Sequence, residues 1–199
     1  INDVGVGGDD KCGLVACVEM LESDVPCKAI FFREEESGCR GSRAYDAQSL
    51  KNDLFLIEID RKGGTDLIFN SGGTQLCDKQ FEKEVKEAFP KRKKAQGLLT
   101  DVNVLGDVQI NMMNLSAGYY MPHTANEYVI LSELQRNIDC LHNFAKNYTE
   151  KRSFVRKQKG VLYDTYFGKS IWPVCEEATE GQKEYDLLKA RASSSTLPK

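Results

Sequence analysis

The sequence predicts an α/β domain with a mostly parallel central sheet flanked by helices on both faces, and three observations carry that expectation. Short apolar runs alternate with segments of helical period along the 199 residues. The run at 54–59, Leu-Phe-Leu-Ile-Glu-Ile, is apolar almost throughout, as an interior strand covered on both faces must be. Acidic residues close the principal runs, and the carboxyl ends of strands are where ligands gather in sheets of this kind.

Residues 4–10 form a glycine-rich approach to Asp9 and Asp10, and 11–21 follow with helical period. Leu14, Val15, Val18 and Leu21 fall on one helical face, with Cys17 beside them. Pro26 ends that helix, and 27–32 reads as a short buried strand that delivers Glu34, Glu35 and Glu36. Gly38 and Gly41 permit a tight turn into a short helix over 43–50. The 54–59 strand ends at Asp60, a glycine turn follows, and 66–69 is expected as an edge strand. A helix over 78–89 presents Phe81, Val85, Ala88 and Phe89 on one side and stops at Pro90. The last long strand spans 108–115 and leads through 116–122 to His123. A final helix over 130–144 carries a buried stripe of Leu131, Leu134, Ile138, Leu141 and Phe144.

Composition narrows the function classes. The chain is 41% hydrophobic and 29% charged, enough to bury a core for one domain. A formal charge of -3 gives no positive field for nucleic acid, and the basic run Lys91 to Lys94 is read as a solvated loop. No run approaches the roughly 20 apolar residues of a membrane span. Seven cysteines, an odd number without CxxC spacing, speak for reduced thiols and a cytoplasmic location.

The strand-end rule puts Glu35, Glu36, Asp60 and His123 on one rim, with Asp9 and Asp10 entering from the glycine loop. Mixed carboxylate and imidazole ligation suits a divalent ion, zinc above others, and a spare glutamate can act as base toward water. Each piece also has a plainer reading. An aspartate caps a helix start, and a charge run after a strand is a hydrated loop. A glycine loop before a helix also resembles a phosphate cradle, but GxGxxG and Walker spacing are absent and two acids repel phosphate.

Taken together, Asp9-Asp10-Lys11-Cys12-Gly13, Glu35-Glu36-Ser37-Gly38-Cys39-Arg40-Gly41-Ser42, Asp60, and the segment from Ser116 through His123 to Tyr128 resemble, in order, the motifs of the co-catalytic di-zinc exopeptidases. That clan includes peptidase T, glutamate carboxypeptidases and bacterial leucyl aminopeptidase. The resemblance implies a metallopeptidase with two zinc ions. Asp9 would bridge them, with an unusual peptide bond to Asp10, Glu36 and His123 would hold one ion, and Asp60 the other. Glu35 would be the general base and acid, taking a proton from the bridging water and passing it to the leaving amine. Glu34 would be a bystander. The substrate would be a peptide or a small aminoacyl or acylamino compound, with no nucleic acid or membrane partner.

The sequence departs from the family pattern in two places. The upstream His-x-Asp motif, whose histidine would complete the ion at Asp60, is absent, and the second histidine, His142, falls on the last helix as a surface or packing residue. The chain opens at Ile1 without methionine, so the natural protein is expected to continue upstream, its early strands leaving an exposed sheet edge. The interval from Asp60 to His123 leaves no room for the dimerisation domain of the peptidase T branch, which points to the single-domain aminopeptidase-like branch. Residues 1–150 are thus read as a zinc-hydrolase-like domain lacking its N-terminal part. Residues 151–199, with an aromatic patch around Tyr163, Tyr166, Phe167 and Trp172, are read as a partly disordered extension. A metal-binding or interaction domain that keeps the fold without turnover is the alternative.

Overall fold

The computed structural model describes residues 5–105 and 108–156. The aromatic patch and the polar tail expected after residue 160 lie outside the described residues. The chain is α/β. Its central sheet runs in the order β1 (Phe55–Arg61), β5 (Asn111–Ser116), β2 (Asp66–Ser71), β3 (Thr74–Gln75), with β4 (Lys93–Gly97) also paired to β2. The long pairings, β1 with β5 and β2 with β4, are parallel, and the two-residue contacts of β2 with β5 and β3 are antiparallel. A small hairpin of β6 (Tyr119–Tyr120) and β7 (Tyr128–Val129) stands at the rim.

Alternation along the strands divides the core in two. On one face α1 (Gly8–Glu22), α3 (Lys79–Ala88) and α5 (Leu131–Asn147) cover Met113, Leu115, Leu67 and Phe69. On the other, Leu56, Ile110 and Met112 meet a 3₁₀ turn at Ala47–Leu50 and α4 (Asp101–Val104). The first core is aromatic at its centre, where Phe81 packs against the rings of Phe55, Phe144 and Tyr148. Asp78 caps α3 by accepting from the Phe81 N–H at 2.7 Å, which fixes the helix start that sets Phe81 and Val85 inward.

Several expectations are corrected. Leu14, Val15, Val18 and Leu21 are exposed by 46–51%. The inward face of α1 is instead the small-residue face of Cys12, Gly13 and Ala16 with Met20, because the helix lies so near β1 that a Cβ on Gly13 would stand 2.5 Å from the Ile59 carbonyl. Among the described residues, 27–32 belong to no ladder, and β1, expected inside the sheet, pairs only with β5. A groove of about 660 Å³, lined by Ile30, Phe32, Phe55 and Ile57, runs past both segments. The strand expected at an edge, β2, is central, its Leu67-Ile68-Phe69 run fully buried. The basic run does not stay a loop: Lys93 and Lys94 open β4, and Lys94 pairs with Glu82 at 2.8 Å. The helix expected over 43–50 is split into α2 (Arg40–Ala44) and the 3₁₀ turn, where Asp46 accepts from the Gln48 N–H. Leu131 begins α5 exposed, while Leu134, Ile138, Leu141 and Phe144 form the buried stripe.

No disulfide joins the six described cysteines. Among the described residues no helix is long and apolar enough to cross a membrane. His142 pairs with Asp24 at 3.1 Å on the surface.

Candidate metal centre

Four separate chain segments deliver acids and one imidazole to the rim of the sheet. Asp9 and Asp10 come from the glycine loop, joined by a cis peptide bond, and both have non-helical dihedral angles, so regular helix begins at Lys11. Asp10 turns back to accept from the Gly13 N–H at 2.9 Å.

Glu35 and Glu36 lie in a knot of backbone bonds that closes residues 33–41 on themselves. The N–H groups of Gly38 and Cys39 donate to the Glu35 carbonyl, and Gly41 donates to the Arg33 carbonyl. Gly41 packs so tightly that a Cβ there would meet the Arg33 backbone at 2.7 Å, which accounts for the glycine in the turn. Ser42 Oγ donates to Asp101 at 2.5 Å and ties the knot to the start of α4. Glu34 points away into an ion pair with Arg40 at 2.9 Å.

Asp60 lies near the end of β1 at a bulge, where the ladder to β5 shifts register between Glu58 and Arg61. The Asn114 side chain fills the irregularity, accepting from the Asp60 N–H and donating to the Asp60 carbonyl, both at 3.1 Å. Tyr119 Oη donates to the Asp60 carboxylate at 3.0 Å. The tyrosine hydroxyl is therefore committed to an acid of the rim, and Tyr120 donates to Glu133 at 2.6 Å.

His123 adopts positive φ on the loop joining β6 and β7. Its Nε2 lies 3.3 Å from Asp9 Oδ2 and 3.4 Å from Glu36 Oε1. One ligand atom from each of Asp9, Glu36 and His123 falls within 4.8 Å of the others, the convergence a single cation needs. Asp60 stands against Asp9 but outside that trio, and Glu35 is the deeper neighbour of Glu36.

Burial, reinforced by neighbouring acids, raises the proton affinity of Asp10, Glu35, Asp60 and Glu58. Burial and then Asp60 push the Asp10 carboxyl up to about 8, against the opposing bond from Gly13. Burial, Asp60 and Glu36 push Glu35 up to about 7. Asp60 itself is raised by burial and by Asp9. Glu58, bonded to Thr100 Oγ1 at 2.7 Å, is raised by burial. Glu127 is the exception: burial works against its charged form, but the N–H groups of Asp9, Gly7 and Gly8 outweigh it and hold the carboxyl below its ordinary range. The donor set, two carboxylates and an imidazole at contact distance among further acids, fits a divalent ion of the zinc type.

The fold brings Asp9, Glu36 and His123 to one rim, with Asp60 and Glu35 beside them. The contacts made by Glu127, Asp101, Ser42 and Asn114 do not follow from motif spacing. Glu127 stands inside the histidine segment, and that proximity is its one signal in the sequence.

No protein-family model matches this chain, and no curated protein matches it. Among solved structures it is similar to the crystal structure of aminopeptidase PepT from Bacillus cereus ATCC 10987, at 15% sequence identity over 71% of each chain with a TM-score of 0.56. At that identity the likeness is one of fold.

Proposed function

We propose that the chain is a zinc-dependent hydrolase of peptide or amide bonds, of the metallo-exopeptidase or aminopeptidase type. The observation that carries the reading is the convergence of Asp9, Glu36 and His123 on one point with Glu35 adjacent. The aminopeptidase fold of the solved neighbour supports it. Asp9, Glu36 and His123 would hold one ion, and Asp9 with Asp60 would hold a second. Zinc bound there would supply a Lewis acid for the scissile carbonyl and for water. Glu35 takes a proton from the attacking water and returns it to the amine as the carbon–nitrogen bond breaks. Its location beside Glu36 would keep the base near a bound cation without making it a ligand. The substrate is a peptide or an aminoacyl or acylamino compound, with no part for nucleic acid or membrane. The described cysteines, all free thiols, support a cytoplasmic location.

One observation favours a second reading, a metal-binding domain without turnover. Around Asp60 the motif residues present supply only Asp60 and the shared Asp9, a thin ligand set for a second ion. Elemental analysis with a screen of aminoacyl and acylamino substrates separates the two. Bound zinc that is lost in Asp9→Ala and Glu36→Ala, with hydrolysis lost in Glu35→Gln while zinc is kept, supports the hydrolase. Zinc without hydrolysis supports the second reading, and no zinc under zinc-replete conditions overturns both.

A further inference from the structure

The glycine loop that resembles a phosphate cradle already holds an anion, and the anion is the protein's own. Glu127 Oε2 accepts from the Gly7 N–H at 2.6 Å and Oε1 accepts from the Asp9 N–H at 3.0 Å. The fit is close on both sides. A Cβ on Gly5 would stand 2.6 Å from the Thr124 carbonyl and 2.7 Å from Glu127 Cβ, and one on Gly8 would stand 2.8 Å from Tyr119 Cβ and from Val129 Cγ2. The loop between β6 and β7 is itself fixed, with Thr124 Oγ1 donating to the Met121 carbonyl and the Glu127 N–H to that of Thr124. This loop therefore grips Asp9 twice: Glu127 at its backbone N–H, and His123 at its carboxylate.

We propose that Glu127 is a positioning residue, one that holds the backbone of the glycine loop so that the Asp9 carboxylate faces His123 and Glu36. The inference rests on the metal-site reading for its consequence, though the contact itself does not. A carboxylate that accepts from Gly7 through one oxygen and from Asp9 through the other fixes the loop in position and in rotation, which a single bond cannot do. Groups one shell behind a metal ligand set its orientation, and their loss typically weakens metal affinity by about 10- to 100-fold.

Glu127→Gln keeps the shape and removes one acceptor, placing an N–H₂ group against the loop's donors. The full 199-residue chain carrying it is compared with wild type and with Val85→Ala, which perturbs the core under α3, away from the loop. In the metal-free proteins, amide exchange at Gly7 and Asp9 is expected to quicken at least about tenfold in Glu127→Gln and to stay unchanged in Val85→Ala. Zinc affinity, measured by chelator competition, is expected to fall by about 10- to 100-fold in Glu127→Gln alone, with a shifted cobalt absorption spectrum. Wild-type protection of Gly7 and Asp9 in Glu127→Gln overturns the proposal, as does unchanged zinc affinity. If the wild-type chain takes up no zinc, the metal reading fails by itself, and the exchange at Gly7 and Asp9 still decides whether Glu127 holds the loop.

Discussion

Asp10→Asn should stabilise the metal-free chain at neutral pH and leave it unchanged near pH 4. The folded carboxyl is pushed up to about 8 by burial and by Asp60, whereas an unfolded aspartate titrates near about 3.9. Between those values the folded chain holds a proton that the unfolded chain has released. Stability is therefore highest below the unfolded value and is lost as pH rises toward the folded one. Each pH unit inside the window costs about 1.4 kcal/mol per proton, so the rise from pH 4 to pH 7 removes up to roughly 4 kcal/mol. Asparagine has no such titration, and its side-chain oxygen can still accept from the Gly13 N–H. Urea unfolding followed by far-ultraviolet circular dichroism, in chelator at about pH 4.5 to 7.5, gives the difference between variant and wild type. A gap that widens with pH is expected. A gap independent of pH would refute the reasoning, because burial and the neighbouring acids would then not be raising the Asp10 carboxyl in the folded chain. Zinc is expected to narrow the gap at neutral pH by offsetting the charge around Asp9 and Asp60.

Three further outcomes are expected from the packing. Gly13→Ala places a methyl group 2.5 Å from the Ile59 carbonyl and against the Asp10 carboxylate, so it should push α1 off β1, cost about 1–3 kcal/mol in urea unfolding and weaken zinc uptake together. Phe81→Ala, at a fully buried position among three aromatic rings, should cost about 3–5 kcal/mol by the same measurement without altering zinc stoichiometry at the lower denaturant concentrations. Asn137, buried on α5, donates to the Ser116 carbonyl at 2.6 Å and accepts from Arg92 Nε at 3.0 Å. Asn137→Ala should therefore cost about 1–3 kcal/mol, and a thermal midpoint equal to wild type would show that water replaces both bonds.

Legibility in the sequence followed how far each feature depends on distant residues. The stripes of α3 and α5 are local periodicities, and Phe81, Val85, Ile138 and Leu141 fall inward as their spacing predicts. The position of a strand within a sheet is not local. The run 66–69 looks like a short edge strand, yet it is central because β5, β3 and β4 all pair with β2. The apolar positions of α1 misled for a related reason: contact with β1 is so close that small residues, and not Leu14 or Val18, occupy the inner face. Residues 27–32 have strand composition without a strand partner among the described residues. At the site, acids in ordered motifs could be read because cations demand such groups wherever they come from. Glu127 could not, because its role is defined by amide groups 120 and 118 positions away, and amides leave no mark in a sequence.

That separation governs when the site comes into being. The bonds from Glu127 to the glycine loop span 118 and 120 residues, and the Lys146 to Asp24 bond spans 122, so early and late segments of the described chain must meet before the rim is complete. Closures of that length are slow to form and follow the local turns and helices during folding. Before those contacts close, the chain carries every acid of the centre, but His123 is not yet set against Asp9 and Glu127 does not hold the Asp9 N–H. On the metal-site reading proposed above, capture of an ion would follow these long-range closures, because Asp9, Glu36 and His123 converge only once they have formed.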